Sequence, residues 1–248
     1  MIVPVAAGSE PCRGKEPGLW VKIYQIEISN LCNLTCSYCP HPIQRRPHGL
    51  MDPETFDKSL ELLIRCDQQT AYLHNFGEPL LHPDVVGFVR RCTERGVTAS
   101  FFTNGVLMTS EVLAALADAG LRFLSVSDHR RGQAARVRRL ITAGGFPIEI
   151  RDTFRPVRGA LHSWAGQVPG AGAGGVYPLQ GPGPCLFERR DAAVVLWDGR
   201  VNLCCIDVEG SGVQGTVDDY LDDPERYRFR PAELCVGCTL MRGEEDLS

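Results

Sequence analysis

The chain has 248 residues, 44% of them hydrophobic and 23% charged, with a formal net charge of −4 and 11 cysteines. That length suffices for one substantial core or for a domain with a small appendage. The mild acidity argues against nucleic acid or a membrane surface as a partner, and no apolar run reaches the ~20 residues of a spanning helix. The N-terminal segment lacks the basic start and apolar stretch of a signal peptide. These features predict a cytoplasmic protein, a setting in which disulfides are rare and an odd set of thiols points to metal binding or reactivity.

Residues 1–20 read as an irregular lead-in. Strand patterns follow at 22–29, 71–76, 98–104, 122–128 and 147–152, each a short run with β-branched or aromatic residues. Helical patterns alternate with them. "DPETFDKSLELLIRC" opens with Asp52 as N-cap and Pro53 at the first helical position. "HPDVVGFVRRCTERG", "TSEVLAALADAG" and "RRGQAARVRRLITAGG" each end at glycine, a helix stop. This β-α-β-α order predicts parallel strands joined by right-handed crossovers. The predicted fold is α/β, an open, partial parallel β/α barrel over residues 21–153, with ligands at the C-terminal strand ends. The Gly/Pro-rich stretch 154–184 reads as a connector or lid. Residues 185–248 read as a small domain with a β-hairpin turning at Asp198-Gly199 and a short helix near 217–227.

The first strand leads into "SNLCNLTCSYCPHP", where Cys32, Cys36 and Cys39 form C-x3-C-x2-C. Three thiolates hold three corners of a 4Fe–4S cube and leave one iron open to another ligand. The competing reading is zinc, with His41 as the fourth ligand. A second group comprises Cys185, Cys204, Cys205, Cys235 and Cys238. Four thiolates suit an iron–sulfur cluster or a zinc ribbon alike. Neighbours on a strand face opposite ways, so the expected set is Cys185, Cys204, Cys235 and Cys238, with Cys205 left over. Cys66 and Cys92 fall on helices and read as small core residues.

C-x3-C-x2-C with an aromatic residue, Tyr38, before its last cysteine resembles the radical S-adenosylmethionine superfamily. The resemblance implies that S-adenosylmethionine chelates the open iron and is cleaved to a 5′-deoxyadenosyl radical that abstracts hydrogen. "NFGEPLL" resembles the family's Gly-Gly-Glu motif, with Phe76 at the first glycine, and implies that Gly77 and Glu78 hold the methionine amino group. "FFTNG" and "LSVSDH" imply cosubstrate contacts by Thr103, Asn104, Ser125 and Ser127. The C-terminal cysteines resemble the twitch domain, a shortened SPASM domain, and imply an auxiliary 4Fe–4S cluster, two clusters in all.

"HGLMDP", "RGAL" and "LCC" extend the resemblance to twitch members that dehydrogenate an aminocyclitol alcohol. This implies a small polar substrate, hydrogen abstraction from its carbinol carbon, a ketone product, and the auxiliary cluster as electron acceptor. Arg158 is then a clamp on the developing alkoxide, since arginine stays protonated. Asp152, Asp128 and His129 are the candidate bases, and an electron donor such as flavodoxin is implied. A second reading is epimerisation of a sugar or aminoglycoside, with Cys205 as hydrogen donor. Peptide modification fits less well, because the lead-in is short for a leader-binding domain. A non-enzymatic zinc or iron–sulfur module is the remaining class. The run Arg130, Arg131, Arg136, Arg138 and Arg139 reads as a solvated helix face, or as a dock for an acidic donor or a phosphorylated substrate.

Overall fold

Strand and helix alternate through the first two thirds of the chain, as the hydrophobic periodicity predicts. The computed structural model describes residues 21–154, 164–165, 167–168, 185–223, 227–236 and 238. β1 (Lys22–Ile26) is followed by a long loop and α1 (Pro53–Arg65), then β2 (Thr70–Tyr72), α2 (Val85–Glu94), β3 (Thr98–Ser100), β4 (Phe102–Thr103), α3 (Ser110–Asp118), β5 (Phe123–Ser127), α4 (Gln133–Gly144) and β6 (Glu149–Phe154). β2 pairs with β3, and β5 lies between β4 and β6, all in parallel. The strand segments form an open parallel arrangement rather than a closed barrel.

Caps and stops act where the sequence puts them. The Asp52 carboxylate accepts the Thr55 N–H at 2.9 Å at the start of α1. Thr109 caps α3 in the same way. Gly96, Gly120 and Gly145 take positive φ just after α2, α3 and α4, where the left-handed conformation ends a helix. The core lies between strands and helices. Phe56 of α1 stacks on Phe88 of α2 at 4.1 Å, and Leu60, Leu63 and Val89 are fully buried beside them. Each such side chain contributes about 1.5–3 kcal/mol by leaving water.

The C-terminal part adds α5 (Leu186–Arg189), β7 (Ala192–Val195), β8 (Arg200–Asn202), β9 (Val213–Thr216), α6 (Val217–Asp222) and α7 (Glu233–Val236). β7 and β8 form the expected antiparallel hairpin, turned at Gly199 with φ +80°. β7 also pairs in parallel with β1, so the hairpin extends the first strand's sheet in the order β1-β7-β8-β9. A buried ion pair pins this junction: Arg46 donates from Nη2 to Glu27 Oε1 at 2.5 Å and from Nε to the Val208 carbonyl at 2.7 Å. Two expectations change. Cys204 and Cys205 lie beyond the end of β8, in a turn rather than on a strand. The helix expected over 217–227 stops at Asp222, because the residue before Pro224 is forced away from helical geometry. Among the described residues no helix is long and apolar enough to cross a membrane.

Candidate active site

The loop after β1 is stapled at both ends by Asn30, which is fully buried. Its side chain donates to the Pro47 carbonyl at 2.9 Å and accepts the Gly49 N–H at 2.7 Å. Within the loop the Cys39 N–H donates to the Cys36 carbonyl at 3.0 Å. Cys32, Cys36 and Cys39 are thereby half-exposed around one cavity of about 1130 Å³, a figure that includes its open mouth.

The wall opposite is the turn after β2. Gly77 has φ +114°, and a Cβ there would sit 2.5 Å from the Ser29 carbonyl, so only glycine lets this turn meet the cysteine loop. The Glu78 N–H then donates to the Leu31 carbonyl at 2.7 Å. The Glu78 carboxylate, 2% exposed, lines the cavity. It accepts from the Thr103 hydroxyl at 2.6 Å, the Asn104 N–H at 2.7 Å and the Leu80 N–H at 3.1 Å. Burial raises its pKa, and these three donors work against that. The Asn104 side chain donates to Asn33 Oδ1 at 2.7 Å, tying the next strand end to the cysteine loop.

Tyr38 and His129 face each other across the cavity mouth, with the Tyr38 hydroxyl hydrogen-bonded to His129 Nδ1. Burial lowers the His129 pKa, and Asp128 opposes it. The ring is therefore neutral near pH 7 and able to accept a proton. Trp164 closes this side, donating from Nε1 to the Tyr38 carbonyl at 3.0 Å.

The sequence candidates distribute as follows. Cys32, Cys36, Cys39, Tyr38, Gly77, Glu78, Thr103, Asn104, Ser127, His129 and Cys205 line the cavity. Ser125 and Asp152 do not; Ser125 Oγ and Asp152 Oδ2 stand 3.5 Å apart outside it. Arg158 lies outside the described residues. Cys185, Cys204, Cys235 and Cys238 gather instead in a buried cluster with Tyr24, Phe187 and Leu203, which Cys205 also adjoins. Sequence reasoning missed Gln25, His74, Asn75, Phe102 and Trp164 in the cavity wall.

Backbone N–H groups point at several sulfurs: Leu34 at Cys32, His41 at Cys39, Phe187 and Glu188 at Cys185, and Ile206 and Asp207 at Cys204. Burial, with a smaller push from neighbouring acidic groups, holds Cys32 and Cys205 up at about 11. The N–H donors favour the thiolate form that iron requires.

Residues 26–129 match the Radical SAM superfamily. This segment is similar to the radical SAM domain. Curated radical SAM relatives include the PqqA peptide cyclase of Rhodopseudomonas palustris, 34% identical over 103 residues, which are 41% of this chain and 27% of that one. They also include the S-adenosyl-L-methionine-dependent 2-deoxy-scyllo-inosamine dehydrogenase of Niallia circulans, 33% identical over 109 residues, or 42% of this chain and 44% of the relative. The chain thus covers less than half the length of these relatives. Among solved structures, BtrN in complex with AdoMet and 2-DOIA superposes with a TM-score of 0.67 at 23% identity, over 93% of this chain and 90% of that one. The likeness shows a shared fold.

Proposed function

We propose that the protein is a radical S-adenosylmethionine dehydrogenase, which oxidises an alcohol of a small polyol or aminocyclitol to a ketone. The observation that carries this reading is the single cavity in which three half-exposed thiols face a buried, triply hydrogen-bonded carboxylate. Cys32, Cys36 and Cys39 would hold a 4Fe–4S cluster, which with S-adenosylmethionine supplies one-electron cleavage and a hydrogen-abstracting radical. Glu78, its orientation fixed by Thr103 and Asn104, holds the ammonium of the cosubstrate by a charge-assisted hydrogen bond. Ser127 and Asn104 offer further polar contacts from neighbouring strand ends. His129, neutral and hydrogen-bonded to Tyr38, takes the hydroxyl proton. Trp164, Phe76 and Phe102 exclude water from the reacting carbon.

Cys185, Cys204, Cys235 and Cys238 would hold the auxiliary cluster, in a twitch-like domain spanning roughly residues 185–248 that accepts the second electron. The substrate class is supported by similarity to a 2-deoxy-scyllo-inosamine dehydrogenase and to BtrN, whose structure holds 2-DOIA. An acidic donor such as flavodoxin would deliver the first electron, docking near Arg130, Arg131, Arg138 and Arg139, within a cytoplasmic setting. One observation favours a second reading: Cys205 lines the cavity, where a thiol serves as hydrogen donor for an epimerase. The test is reductive cleavage of S-adenosylmethionine by the anaerobically reconstituted protein. Cys32→Ala, Cys36→Ala and Cys39→Ala together should abolish 5′-deoxyadenosine formation and remove about four iron per chain. Retained cleavage in that variant rejects the assignment.

A further inference from the structure

Three side chains of the cavity wall, Gln25, His41 and His74, carry buried polar atoms with no hydrogen-bond partner among the described residues, and two of them, Gln25 and His74, bond to each other. Gln25 of β1 and His74, two residues beyond β2, are 2% and 4% exposed and both line the cavity. Their Nε2 atoms stand 3.0 Å apart in a hydrogen bond. Gln25 Oε1 and His74 Nδ1 are buried with no hydrogen-bond partner among the described residues. Folded proteins seldom bury such atoms without something polar to fill the place, since each orphan costs the desolvation of its group.

The hydrogen-bonding pattern of the pair is the same whichever way it is drawn. If the Gln25 amide donates to His74 Nε2, then His74 Nδ1 carries the proton, and the pair offers the Nδ1–H donor and the Gln25 Oε1 acceptor. If the amide is turned, His74 Nε2–H donates to Gln25 Oε1. The pair then offers the Gln25 NH2 donor and the His74 Nδ1 acceptor. Burial pushes the imidazole down to about 3, so it is neutral and always presents one donor and one acceptor. One unused donor beside one unused acceptor matches an alcohol, which donates once and accepts. It does not match a carboxylate or a phosphate, which only accept.

The location separates this pair from the cosubstrate contacts. His74 precedes Glu78 by four residues and Gln25 precedes Cys32 by seven, so both stand further down their strands than the cysteine loop and the Glu78 turn. Phe102 packs against the His74 ring at 5.0 Å, which fixes the ring in place.

We propose that Gln25 and His74 read one hydroxyl group of the substrate, and so set which substrate carbon faces the cysteine loop. The ligand class rests on the proposal above that the cavity takes a small polyol.

The test uses reconstituted protein saturated with S-adenosylmethionine and 2-deoxy-scyllo-inosamine as the probe, with binding followed by calorimetry. Two variants are compared with the wild type: His74→Asn, and the double variant Gln25→Met with His74→Leu. Each should bind the probe at least about tenfold more weakly, while affinity for S-adenosylmethionine stays within about twofold. Without the probe, the double variant should melt no lower than the wild type, because both unsatisfied polar groups are gone. Wild-type affinity for the probe in the variants overturns this assignment alone. A double variant melting more than about 4 °C lower also overturns it, because the pair then has a structural role. A wild type that ignores the probe overturns the polyol reading together with this assignment.

Discussion

Glu78 carries a negative charge into a nearly dry wall, and three donors from residues 80, 103 and 104 hold it there. Such a carboxylate is organised in advance for a cation. Glu78→Gln should weaken S-adenosylmethionine binding by about 1.5–3 kcal/mol, roughly 10- to 100-fold, with the iron content unchanged. Equal affinity in a direct titration would count against this role. His74 makes a different prediction. Its folded pKa is lowered by burial to about 3, against about 6.5 for a free imidazole. Between those values the unfolded chain binds a proton that the folded chain does not, so stability is full above pH ~6.5 and falls as pH drops toward 3. The slope is up to about 1.4 kcal/mol per pH unit. His74→Gln should flatten it in urea unfolding between pH 7 and 5; an unchanged slope contradicts the assignment. The cysteines, Glu78 and the threonine and asparagine after the third strand pattern were legible because each sits in a short motif. Gln25, Glu27 and His74 were not, because alternating polar residues read as a solvent face. Here both faces are covered, by the helices on one side and by the cavity and the buried Arg46 pair on the other.

Elements were legible wherever a cap or a stop marked them. Asp52-Pro53, Thr109 and the glycines at 96, 120 and 145 bound helices that the apolar period had already indicated. β9 was missed because "VQGT" has no alternation and is held in place by its pairing with β8. α6 was over-extended, yet its start is the most completely capped in the chain. Thr216 accepts the Asp219 N–H, and Asp219 Oδ2 accepts the Thr216 N–H at 2.8 Å. This box sits at the end of β9, and α6 packs against α1. Thr216→Ala should lower unfolding stability by about 1 kcal/mol. A loss below about 0.3 kcal/mol in denaturant titration would mean the box contributes little there.

At the scale of the whole molecule, β7 joins β1 in parallel, so the cysteine loop and the second cysteine cluster are carried on adjacent strands of one sheet. No sequence pattern announces that pairing, because register between distant strands is decided by packing rather than by local periodicity. Cys205 belongs to the buried cluster with Cys204 and also lines the cavity. Under the proposed function this placement bears on two outcomes for a substrate radical: loss of an electron toward an auxiliary cluster held by the second cysteine group, or gain of hydrogen from Cys205. The most direct test is the mass of the product formed from an aminocyclitol by the reconstituted protein in heavy water. The account predicts loss of two hydrogens, a ketone, no deuterium at the reacting carbon, and continued turnover by Cys205→Ser. A product of unchanged skeleton carrying one deuterium at that carbon, and dependent on Cys205, would contradict it.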